Sequence, residues 1–209
     1  NAVSGFEPHA RVLQEAYAAS GRLHSAEAGL ENSRWVQRKP RSDPQRWWFT
    51  VARGRALPEE AEHPGFTASV LALDALFATV AVVLTSSITR ALKVAPMKFA
   101  STPTNTMLRG LRYAGQAGGA AAGSAEEEQP LGIGAHEDFG DFTLCHSDGD
   151  GLEVLEPPQA WCSLPAGQLY CLVGAQLESK SRGAARAVTH RVRLPPVGRL
   201  SFCRLHGVI

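Results

Sequence analysis

Gly132-Ile133-Gly134-Ala135-His136-Glu137-Asp138-Phe139-Gly140 decides the fold of this chain, read together with Thr189-His190-Arg191-Val192 and Arg199-Leu200-Ser201 downstream. Successive side chains of a β-strand point to opposite faces, so His136 and Asp138 share one face while Glu137 points away. A second imidazole, His190, lies 52 residues beyond Asp138, far enough for several strands to intervene. Two histidines and one carboxylate make the set that holds a non-haem Fe(II) and leaves coordination positions open. Nine residues after His190 comes Arg199, with Ser201 on the same strand face, a guanidinium fork and a hydroxyl suited to gripping a carboxylate.

The order His136-x-Asp138, then His190-Arg191-Val192, then Arg199-x-Ser201 resembles the iron- and 2-oxoglutarate-dependent dioxygenases, in particular the branch of isopenicillin N synthase, gibberellin oxidases and plant flavonoid oxygenases. The filler is similar too: Leu131 to Ala135, Gly151-Leu152-Glu153-Val154-Leu155, Trp161, Leu164-Pro165-Ala166-Gly167, and Leu108 to Tyr113 ahead of the metal motif. The resemblance covers the second half of the chain well and the first half loosely. It implies a mainly β protein with helices (α+β), a double-stranded β-helix or jelly roll backed by an N-terminal helical layer. One domain spans 1–209, with 1–100 as the supporting part and 105–206 as the catalytic core. His136, Asp138 and His190 are the implied Fe(II) ligands. Arg199 and Ser201, with Tyr113, are implied to hold the far carboxylate of 2-oxoglutarate. The implied activity hydroxylates, desaturates or cyclises a small organic substrate with O₂, releasing succinate and CO₂. The alternative is a truncated or inactive relative serving as a binding module. Ala175 departs from the family pattern, which would place an aspartate after Gly174.

Composition bounds the rest. A chain of 209 residues fits one domain with one sizeable core. Lys+Arg 21 against Asp+Glu 20 gives no global charge for nucleic acid or an anionic membrane. Four cysteines without a CxxC pair fit reduced thiols. The first twenty residues lack an apolar signal core, so a cytoplasmic monomer is expected. The chain begins without Met, which leaves an upstream targeting segment open.

In order, residues 7–19 read as an amphipathic helix with Leu13, Ala16 and Tyr17 on one face and Gly21 past its end. Arg34 to Arg55 is basic and rich in tryptophan. A strand around Trp48-Phe49-Thr50-Val51, with aromatics packed and arginines in water, explains it better than nucleic-acid binding. A third reading puts these arginines at the mouth of a cleft that favours an anionic substrate. Phe66, Val70, Leu73, Phe77, Val80, Leu84, Ile88 and Ala91 form one helical stripe, with Thr67 or Ser69 as cap and Pro96 as stop. Asp74, Ser69 and Thr85-Ser86-Ser87 argue against a membrane span there. Asn105 to Tyr113 reads as a strand, and Ala114 to Glu128 as a Gly/Ala/Ser loop. Asp141 to His146 and Gly151 to Leu155 flank a polar turn and read as a hairpin, which leaves His146 exposed rather than a ligand. Leu169 to Val173 and Ala187 to Arg193 are further strands, and such short strands imply a sandwich or jelly roll.

Overall fold

The computed structural model describes residues 10–27, 33–39, 43–94, 106–115 and 130–207. The expected Pro96 stop, Asn105 and most of the Ala114–Glu128 loop lie outside the described residues. Two antiparallel sheets face each other. The larger has the order β1 (Gln37–Lys39), β2 (Asp43–Val51), β3 (Thr106–Tyr113), β10 (Arg199–His206), β5 (Phe142–Ser147), β8 (Leu169–Val173). The smaller runs β4 (Leu131–His136), β9 (His190–Arg193), β6 (Leu152–Glu156), β7 (Ala160–Ser163). This is the expected jelly roll. Alternation sorts the core into two: Leu111, Tyr113, Cys145, Leu152, Val192 and Leu194 pack between the sheets, while Leu108, Phe142, Leu144 and Phe202 face the helices.

The helical layer is α1 (Ala10–Glu27) and α2 (Phe66–Leu92), which pack on each other and on the outside of the larger sheet. Helix α1 runs straight through Gly21. Burial of Leu23 and His24 beyond it, both essentially inaccessible, outweighs the roughly 1 kcal/mol that a helical glycine costs. In α2 the buried line follows Phe66, Val70, Leu73 and Phe77, then moves to Ala81 and Thr85, leaving Val80, Leu84 and Ile88 partly buried at its edge. Neither expected residue caps it: Gly65, in the left-handed region at φ 74°, precedes the helix without a side-chain cap, Thr67 donates to the Pro58 carbonyl and Ser69 to that of Gly65. By length and composition α2 is apolar enough to cross a bilayer, with a mean hydropathy of 2.1 in its best window, so its polar residues alone do not argue against a span. In this fold its inner stripe packs against the protein, and Asp74 pairs with Arg204 of β10 at 2.7 Å.

The expected hairpin does not form. β5 pairs with β10 and β8, whereas β6 pairs with β9 and β7 in the other sheet. The polar Ser147–Gly151 turn carries the chain across the gap between the sheets. Gly151, at φ 115°, is required there, because a Cβ would sit 2.4 Å from the Arg193 carbonyl.

His146 is buried, not exposed. It points from β5 toward α1, where the Tyr17 hydroxyl donates to its carbonyl at 2.9 Å and lies 2.8 Å from its Nδ1. Strand parity thus puts it on the face opposite Cys145, away from the sheet interior.

In β2, Trp47 packs toward the helices and Trp48 toward the sheet interior, so the two aromatics serve different cores. Phe49 lies over Gly110 of β3, where any Cβ would fall 2.2 Å from its ring.

Candidate active site

Three of the predicted residues converge at one end of the sandwich. His136 closes β4 and His190 opens β9, and the two are register partners across that pair. Their rings are 4.3 Å apart between centroids. Asp138 reaches the same point from the turn after β4, its Oδ1 3.9 Å from His136 Nε2 and its Oδ2 4.0 Å from His190 Nε2. All three offer a ligand atom within 4.8 Å of the others.

The backbone decides which nitrogens face inward. His136 Nδ1 is 2.9 Å from the Gly134 carbonyl and His190 Nδ1 2.9 Å from that of Val188. A carbonyl only accepts, so each Nδ1 carries a proton and Nε2 is the ring nitrogen that faces Asp138. Burial lowers the His190 pKa, countered by its bond to Val188 and the charge of Asp138. The lowered pKa favours the neutral ring, the form that binds a metal.

Two supports of Asp138 were not apparent from sequence. The Thr143 hydroxyl donates to Asp138 Oδ2 at 2.5 Å. The start of α3 (Ala175–Lys180) grips the loop: Ala175 N donates to the Asp138 carbonyl at 2.8 Å and Gln176 N to that of Gly140 at 3.1 Å. Gly174 is obligatory at this junction, since a Cβ would meet the Gly140 carbonyl at 2.2 Å. The Thr143 signal was available, because residues 143, 145 and 147 share the inward face of β5, but only the pairing shows what that face meets. Ala175, where an aspartate was expected, contributes through its backbone.

A cleft extends from these three residues between the sheets. Its walls include Tyr113, Ser201, Cys145 and Cys203, with Arg199, Arg109 and Arg46 supplying positive charge. Counting its open mouth, it encloses about 590 Å³. Arg199 is 2% exposed. Its Nη1 donates to the Asp150 carbonyl at 3.1 Å and its guanidinium lies 5.3 Å from the Tyr113 ring centroid. Its Nε has no partner, and no carboxylate forms an ion pair with it among the described residues. Burying a guanidinium so incompletely satisfied is costly unless an anion completes it. Ser201, 2% exposed, stands two residues along the same face. Burial raises the Tyr113 pKa well above its ordinary value, so that phenol remains a donor.

Arg109 lies at the other end of this wall. It sits opposite Cys203 on β10 and Thr50 on β2, four residues from Tyr113, which is about 13 Å along the strand. Among the described residues its buried Nε also lacks a partner. Arg46, opposite Tyr113, places one arginine of the basic segment on the cleft.

Residues 108–204 match the profile of the 2OG-Fe(II) oxygenase superfamily. A rice (Oryza sativa subsp. japonica) protein named 2-oxoglutarate-dependent dioxygenase 21, chloroplastic, is 36% identical over 89 residues, 41% of this chain and 27% of that protein. A probable iron/ascorbate oxidoreductase of Dictyostelium discoideum is 33% identical over 70 residues, 32% of this chain and 19% of that protein. The matched stretch thus spans about a quarter of the length of the curated relatives. Among solved structures, a full-length Neurospora crassa protein in complex with alpha-KG and thymine superposes with a TM-score of 0.75 at 16% identity, covering 95% of this chain and 72% of that one. A Shewanella oneidensis protein superposes at 0.72 with 20% identity, covering 95% of this chain and 77% of that one. These superpositions establish the fold.

Proposed function

Because residues 108–204 match the 2OG-Fe(II) oxygenase superfamily, we propose that this chain is a non-haem Fe(II)- and 2-oxoglutarate-dependent dioxygenase acting on a small organic substrate. The observation that carries the reading is one cleft holding both a three-donor cluster with both Nε2 atoms turned inward and a buried guanidinium that lacks an anionic partner among the described residues. His136, Asp138 and His190 would hold the iron. The donor set fits, having two imidazoles, one carboxylate and no thiolate.

Arg199 and Ser201 would take the distal carboxylate of 2-oxoglutarate, with the Tyr113 phenol as a further donor. With the co-substrate bound, iron supplies the O₂-dependent oxidation, coupled to conversion of 2-oxoglutarate to succinate and CO₂. The chain's own residues do the positioning. Arg199 anchors one end of the diacid, the backbone carbonyls of Gly134 and Val188 hold both imidazoles in their ligating tautomer, and Leu111, Ile133, Leu152, Leu172 and Val192 keep the cleft apolar around the anchor. Arg109, distant along the strand from the Arg199 anchor, would receive an anionic group of the substrate, whose oxidation by hydroxylation, desaturation or cyclisation follows from how it sits.

The test is an anaerobic titration with Fe(II) and then 2-oxoglutarate, recording the visible metal-to-ligand charge-transfer band. A band that requires both additions and is lost in Asp138→Ala and Arg199→Ala supports the reading. Its absence from folded protein rejects it in favour of a non-catalytic jelly-roll binding module.

A further inference from the structure

Cys145 on β5 and Cys203 on β10 are direct register partners, and their Sγ atoms lie 3.5 Å apart. Register and hydrogen bonding fix the kind of pair. Asp148 N donates to the Leu200 carbonyl, which makes the opposed residues 148 and 200 a hydrogen-bonded pair. Pair types alternate along an antiparallel ladder, so Cys145 and Cys203, three steps away, form a non-hydrogen-bonded pair with Cα atoms about 4.5 Å apart. That separation is within the range a disulfide spans, and closure needs the sulfurs to approach only to about 2.05 Å. Both thiols line the cleft, and both are free. Ser201 Oγ lies 3.7 Å from each of them.

We propose that Cys145 and Cys203 form an oxidation site, a cross-strand dithiol that closes to a disulfide in the wall of the cleft and weakens binding of a dicarboxylate at Arg199 and Ser201. The second half of this inference rests on the function proposed above, whereas the first stands on the thiols alone. The environment assigns roles. The Cys203 thiol donates to Cys145 and, with the nearby Arg199 charge and Ser201, favours thiolate at Cys145 against the cost of burial, while Cys203 holds its proton more tightly.

With hydrogen peroxide as the oxidant, the Cys145 thiolate attacks one peroxide oxygen. The O–O bond breaks, the departing hydroxide is protonated to water, and Cys145 becomes a sulfenic acid. Cys203 sulfur then attacks Cys145 sulfur, and the displaced hydroxide takes the Cys203 proton as a second water. Two thiols and one peroxide thus give one disulfide and two waters, with two electrons passing from sulfur to oxygen. The product removes both S–H groups beside Ser201 and draws β5 and β10 together where the cleft is lined.

The experiment treats the purified chain with hydrogen peroxide, denatures it, counts free thiols and maps cross-links by peptide mass spectrometry. Free thiols should fall from four to two, with Cys145 joined to Cys203. The Cys162→Ser/Cys171→Ser protein should fall to none, and Cys203→Ser should form no intramolecular cross-link. In parallel, anaerobic calorimetry on Fe(II)-loaded protein should show 2-oxoglutarate affinity reduced by about fivefold or more on oxidation, the lower end of ordinary coupling between linked sites, and restored by dithiothreitol. Four remaining thiols, or a cross-link elsewhere, would overturn the oxidation site. A Cys145–Cys203 disulfide with unchanged affinity would overturn its effect on the cleft. Failure of the reduced protein to bind 2-oxoglutarate would instead strike the proposed function, and the thiol count would still decide the dithiol.

Discussion

The Thr143 hydroxyl donates to Asp138 Oδ2 at 2.5 Å, tying the carboxylate of the three-donor cluster to the inward face of β5. Carboxylates that ligate a metal depend on such outer partners for orientation. Thr143→Val keeps the shape and removes the donor, so Fe(II) affinity should fall about 10- to 100-fold with the fold intact. Chelator competition alongside circular dichroism measures both. Unchanged affinity would mean that the α3 grip on the loop suffices.

Arg199 should trade stability for binding. Arg199→Met keeps the length and apolar stem of the side chain and removes a buried charge that lacks a carboxylate partner among the described residues. The ligand-free protein should melt at the same or a higher temperature. Its 2-oxoglutarate affinity should fall about 100-fold, as expected when one partner of a desolvated charge pair is lost. A lower melting point with binding retained would show that Arg199 is a structural cation.

Arg109 on the cleft wall is expected to favour an anionic substrate. Saturation-transfer NMR on the Fe(II)- and 2-oxoglutarate-loaded, oxygen-free protein should detect phenylacetate and benzoate but not their neutral amides. Arg109→Leu should weaken the carboxylates about 10- to 100-fold, the scale of a charge-assisted hydrogen bond, and leave 2-oxoglutarate affinity within about twofold. Equal binding of acids and amides would remove the anionic class.

His24 makes the helical layer sensitive to acid. Burial, with a smaller contribution from Arg112, lowers its pKa from the ordinary 6.5 to about 3. Between those values the unfolded chain holds a proton there that the folded one lacks. Stability from this site is therefore complete above pH 6.5 and is lost as pH falls toward 3, by about 1.4 kcal/mol per pH unit at most. His206, lowered to about 3 by burial and Arg204, acts in the same direction. His24→Phe should flatten the dependence of the urea midpoint on pH in this window by one proton's worth, and an unaltered slope would count against it.

Part of the candidate site is legible from strand alternation: Arg199 and Ser201, two apart on β10, share its inward face, and the strand Leu169–Val173 has the bounds its apolar run suggests. His136 and Asp138 converge for another reason, since β4 is irregular in register and ends at His136, and Asp138 comes from the turn beyond it. Pairing over long sequence distances is what the residues do not disclose. Ser147-Asp148-Gly149-Asp150-Gly151 has the chemistry of a hairpin turn and equally that of a crossing between sheets, and only the partners of β5 and β6 separate the two. His146 lies beside a polar turn in sequence, yet its burial comes from Tyr17, 129 residues away. The break expected at Gly21 fails for the same reason, since the contacts that hold the helix beyond it belong to other elements.

Strand β10 is a wall with two working faces. Arg199, Ser201 and Cys203 look into the cleft, while Leu200, Phe202 and Arg204 look toward the helices. Because these sets interleave one by one, a shift of a single residue in the pairing of β10 would exchange them completely, presenting leucine, phenylalanine and a displaced arginine to the cleft and thrusting the Arg199 guanidinium into the aliphatic layer. Lengthening or shortening the Leu194–Gly198 connection by one residue is therefore a more drastic change than altering any one side chain it leads to. The register of one strand acts here like a reading frame.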